Sequence, residues 1–151
     1  MIAFKNLKEI LERTVKWEKK LKDFYDVAEF ALRNKESKQV VVLLRENLVT
    51  RLDILKKINL DDYGKTEWIR YAPDYKDDEL IPVKTISRDA DPLIIFTQIL
   101  EYEQKLREFY KTIYEKLIVS KQKDLFESLV KFKDEQIYEI KNFMDNFPPK
   151  E

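Results

Sequence analysis

Five polar residues interrupt apolar stripes at helical spacing and carry whatever chemistry this chain has: Glu18, Arg51, Glu103, Lys133 and Gln136. An ionisable group on a core seam is costly unless it is paired or bound to a metal. If the chain turns back near Lys35, Glu18 lies 17 residues before the turn and Arg51 16 after it, so the two share one level. A second turn sets Glu103 level with Gln136, with Lys133 one helical turn away. The spacing therefore predicts one polar layer, in which Glu18 pairs with Arg51 and Glu103 contacts Gln136, Lys133 or both. Such a layer is either a metal site of altered composition or a buried ion-pair network. Charge favours the network, because two carboxylates with Arg51 and Lys133 sum to zero without any metal. Glu46, Asp53, Asp134 and Glu135 lie nearby but point off the seam by helical spacing.

The composition narrows the chemistry further. The chain has no His and no Cys, which removes histidine bases, imidazole ligands, thiolate metal sites and cysteine nucleophiles together. Its 29 basic residues balance 29 acidic ones, so no net field attracts nucleic acid or an anionic membrane. No run of about 18 apolar residues occurs, and the protein reads as cytoplasmic.

Positioning these residues requires four helices. Apolar residues recur at three- and four-residue steps from Phe4 through Leu11, Leu21 and Ala28 to Leu32, with Asn34 as a stop. After a link at Lys35 and Glu36, the spacing resumes from Val41 to Ile58, which predicts an antiparallel hairpin. The pattern dissolves over about 60–91, a long crossover containing Asp61, Asp62, Gly64, Pro73 and Pro82. Asp91 followed by Pro92 reads as an N-cap with proline at the first helical position, opening a stripe from Phe96 to Leu117. Ser120 is the expected cap of a fourth helix, running through Phe126, Leu129, Ile140 and Phe143 to Phe147 before Pro148 and Pro149. With 151 residues, 44% of them apolar and only one Gly, the chain is expected to be a single all-α domain over 1–151 with one core.

The two expected hairpins repeat. Trp17 to Tyr25 matches Tyr102 to Tyr110 at five of nine positions after a shift of 85 residues. The same shift lays Val41 on Phe126, Leu44 on Leu129, Leu48 on Lys133 and Arg51 on Gln136. A repeat spanning both helices and their turn implies a pseudo-two-fold bundle of two hairpins.

The Glu-x5-Phe-Tyr strings ending at Tyr25 and Tyr110, with the Pro-Leu-x6-Leu-x2-Glu run from Pro92 to Glu103, resemble the rubrerythrin branch of the ferritin-like di-iron family. That resemblance implies a four-helix bundle of two hairpins joined by a crossover. Two of its helices would each supply a Glu, and the other two a Glu-x-x-His. Glu18 and Glu103 match the single ligands. Leu48-Val-Thr-Arg51 and Lys133-Asp-Glu-Gln136 fall on the other two motifs, which lack both carboxylates and both imidazoles. The resemblance thus implies a degenerate di-iron site with no cofactor, in a non-catalytic structural or interaction protein whose partner is a second copy or another protein. The alternative is an iron-binding or metal-dependent oxidoreductase of rubrerythrin type using Glu18 and Glu103.

Tyr25 and Tyr110 are expected to be core residues with hydrogen-bonded hydroxyls rather than redox groups beside a cofactor. Asp61, Asp62 and the run from Asp74 to Glu79 lack the spacing of a calcium loop and read as solvated. Tyr63, Trp68, Tyr71 and Tyr75 would pack the crossover onto the bundle or form a partner surface.

Overall fold

A computed structural model describes residues 5–59, 68–69 and 91–147 of the chain. Among the described residues it is all-α, with four helices: α1 (Leu7–Ala31), α2 (Lys35–Lys56), α3 (Pro92–Lys116) and α4 (Ser120–Asn146). The one addition is a two-residue antiparallel ladder of β1 (Lys5–Asn6) and β2 (Trp68–Ile69) beside the start of α1. Apart from Trp68, Ile69 and Asp91, the expected crossover, with its acidic runs and other aromatics, lies outside the described residues.

The helix boundaries follow local chemistry, with two corrections. Asn34 does not end α1 but caps α2, its Oδ1 accepting from the Ser37 amide at 3.0 Å. Asn terminates one helix pattern and opens the next equally well, and the three-residue link leaves it on the opening side. Asp91 caps α3 as expected, accepting from the Leu93 amide at 2.9 Å, with Pro92 in the first turn. Ser120 falls inside α4, whose N-cap is Val119 and has no side-chain hydrogen bond. The α3–α4 junction is secured instead by Lys123, whose ammonium donates to the carbonyls of Tyr114 at 2.9 Å and Leu117 at 3.1 Å. A cation on the last carbonyls of α3 satisfies orphan acceptors and complements the helix dipole.

The core is built from heptad rows. On α1, the rows Leu7–Thr14–Leu21–Ala28, Ile10–Trp17–Phe24–Ala31 and Leu11–Glu18–Tyr25–Leu32 are all buried. On α3 the corresponding rows carry Phe96, Glu103 and Tyr110, then Ile99, Leu106 and Ile113, then Tyr102 and Phe109. Buried Thr14 stays satisfied by donating to the Ile10 carbonyl at 2.9 Å. Links between neighbouring helices are polar at the surface, where Arg45 of α2 bridges Asp26 and Glu29 of α1, and Arg107 of α3 pairs with Asp134 of α4. These partly exposed pairs add little stability compared with the core rows.

Candidate functional site

The 85-residue repeat is visible as paired contacts between α1 and α3. Trp17 meets Phe109 edge-on with ring centroids 4.7 Å apart, and its repeat copy, Tyr102 with Phe24, does the same at 5.0 Å. Both interplanar angles are 89°. In each contact, an earlier residue of one helix meets a later residue of the other, so α1 and α3 run antiparallel. Glu18 and Glu103 follow Trp17 and Tyr102 directly, which brings both carboxyls into the same central layer.

Within that layer Lys133 of α4 joins the two carboxylates. Its Nζ lies 2.6 Å from Glu18 Oε1 and 2.8 Å from Glu103 Oε1, and all three side chains are fully shielded from solvent. The Tyr110 hydroxyl donates to Glu18 Oε2 at 2.5 Å. Its repeat partner Tyr25 faces Glu103 across a looser contact: Glu103 tightens the hold on the phenol proton, but neither the Tyr25 hydroxyl nor Glu103 Oε2 reaches full hydrogen-bond geometry. The two halves are thus alike in placement and unlike in bonding, because one lysine serves both carboxylates and has no copy at Leu48.

Electrostatics follow from this count. Two ionised carboxylates and one ammonium leave one net negative charge in a site without water-accessible surface. Burial, helped by the charge of Glu18, pushes the Glu103 pKa up to about 7 despite the opposing pull of Lys133. Oε1 of Glu103 accepts from Lys133, and Oε2 is left to the looser contact with Tyr25. Burial alone would lower the Lys133 pKa, but Glu103 and Glu18 outweigh it and hold the ammonium charged. Both tyrosines are pushed well above the usual phenol range by burial and by the adjoining carboxylates, so they remain hydrogen-bond donors.

The expected layer is corrected at Arg51, and of the two partners expected for Glu103 it is Lys133 that makes the contact. Arg51 does not pair with Glu18. It is half-buried, with its guanidinium 5.0 Å over the Phe132 ring, and Glu18 takes its charge partner from Lys133 instead. The physical reason is reach: a long flexible side chain at the seam margin can bury its stem and turn its head outward. Gln136 is buried as expected but does not touch Glu103. Its Nε2 donates to the Leu44 carbonyl at 2.9 Å, and its Oε1 accepts from Asn47 at 3.2 Å, which ties α4 to α2. Glu46, Asp53, Asp134 and Glu135 are all exposed, off the seam.

Tyr25 and Tyr110 belong to the layer as carboxylate partners. Their signal was in the sequence, since each stands seven residues after the Glu of its own repeat. What spacing alone could not supply was the exchange of partners across the antiparallel pair.

The donor set does not fit two metal ions. Among the described residues only two carboxylates face the layer, the slots opposite hold Leu48 and Lys133, and the ammonium stands between the carboxylates. Among the described residues, no three potential His, Cys, Asp or Glu ligands cluster. In that same set no helix is long and apolar enough to cross a membrane.

No family model, curated protein or solved structure matches the chain.

Proposed function

We infer that this chain is a ferritin-like bundle of rubrerythrin type in which an ion-pair layer has replaced the di-iron site, and that it acts as a non-catalytic structural or interaction protein. The observation that carries the reading is Lys133, whose single ammonium binds Glu18 and Glu103 at once. In the resembled family, metal charge would stand between those two positions. The helix order supports it as well. With α1 antiparallel to α3, and Arg45 linking α2 back onto α1, α2 ends and α3 begins at opposite ends of the bundle. A crossover connection requires that arrangement.

Such a layer fixes the register of α1, α3 and α4, because slipping any of these three strands a buried charge. The partner assigned to the protein is a second copy or another protein, not nucleic acid and not a membrane. An iron-binding oxidoreductase using Glu18 and Glu103 would have to expel Lys133 from a fully buried position. Metal analysis of protein purified anaerobically separates the two readings. The ion-pair account expects no stoichiometric iron, manganese or zinc, whereas two equivalents of iron retained after loading and desalting would overturn it.

A further inference from the structure

Arg51, displaced from the layer, lines a cleft between the C-terminal half of α2 and the start of α4. The cleft has a volume of about 350 Å³, and its lining includes Ile54, Leu55, Ile58 and Leu125 with the charged Lys121 and Asp124. One face of the guanidinium rests over Phe132, and no carboxylate among the described residues comes within ion-pair distance of it. That leaves a planar fork of N–H donors at the edge of an apolar lining. The lining charges, Arg51 and Lys121 against Asp124, sum to one positive charge.

We propose that this cleft binds an organic monocarboxylate with a medium-length alkyl chain, the carboxylate on Arg51 and the chain against Ile54, Leu55, Ile58 and Leu125. Guanidinium matches a carboxylate through two parallel hydrogen bonds, a geometry that a neutral headgroup cannot reproduce. The volume is at the lower end of small-molecule sites, which suits a chain of medium length. The inference is independent of the central layer, because Arg51 contributes nothing to the ion pairs of Lys133.

The test is a titration of octanoate followed by the methyl NMR signals of Leu55 and Leu125, with octanol and acetate as matched probes lacking the charge or the chain. Octanoate should give saturable shifts, with octanol and acetate each weaker by about tenfold or more, a gap of about 1.4 kcal/mol. Arg51→Gln should weaken octanoate about tenfold while leaving octanol unchanged, and Asp124→Asn should tighten octanoate by removing the opposing charge. Equal binding of octanoate and octanol, or octanoate affinity indifferent to Arg51→Gln, would overturn the proposal. So would the absence of any saturable shift.

Discussion

Lys133 Nζ lies 2.6 Å from Glu18 Oε1, with neither side chain exposing any surface to solvent. A buried ion pair of this kind stabilises little relative to apolar residues of similar volume, but removing one partner strands the other. Lys133→Met should therefore cost about 3 to 5 kcal/mol in urea unfolding at neutral pH. The triple variant Lys133→Met with Glu18→Gln and Glu103→Gln should recover most of that loss. Equal destabilisation of the single and triple variants would mean that the charges are not coupled.

Glu103 makes stability depend on pH with a definite sign. Its pKa rises from 4.5 to about 7 on burial, so the folded state holds a proton that the unfolded state has already released between those values. This contribution is fully present below about pH 4.5, declines as pH rises, and is lost above about pH 7. Across that window it is on the order of 3 kcal/mol. Glu103→Gln mimics the protonated form and should remove the slope, so the difference between wild type and variant should grow from pH 5 to pH 7. A difference that does not change with pH would contradict the assignment.

The repeat-related tyrosines should respond unequally to the same substitution. Tyr110→Phe deletes the donor to Glu18 Oε2 and leaves a buried acceptor unpaired, a cost of about 1 to 3 kcal/mol. Tyr25→Phe removes only a looser contact with Glu103 and should cost less than the Tyr110 substitution, about 1 kcal/mol or below. Denaturant midpoints of the two variants decide this, and equal losses would mean that the Tyr25 contact with Glu103 is as strong as that of Tyr110 with Glu18.

Arg51→Ala should be mild. The side chain is half-buried and its described contact is the Phe132 ring, so the expected loss is about 0.5 to 1 kcal/mol. A loss of several kcal/mol would return Arg51 to the polar layer.

Arg51 also marks where reading the sequence stops. Three- and four-residue spacing locates a Cα on a helix face, and that sufficed for Glu18, Glu103, Lys133 and Gln136, whose side chains are all buried. It does not locate the head of a long side chain, which can lean out over a neighbouring ring as Arg51 does over Phe132. Partner choice was equally hidden. Lys133 was placed one turn from Glu103, yet its contact with Glu18 depends on how α4 sits between α1 and α3. The exchange of Tyr110 with Glu18 depends on the antiparallel crossing of α1 and α3, which only the folded helices define.

The central claim is that Lys133 stands where metal charge would stand in a di-iron bundle. Leu48→Glu, Arg51→His, Lys133→Glu and Gln136→His together would rebuild two Glu-x-x-His motifs opposite Glu18 and Glu103. The deciding measurement is the thermal midpoint of this quadruple variant with and without ferrous iron, taken anaerobically alongside metal stoichiometry. The account predicts two bound ions and a midpoint raised by iron, because a ligand held only by the folded state stabilises it. A folded variant that binds no iron and shows no shift would contradict the account and leave the Lys133 layer unrelated to any metal site.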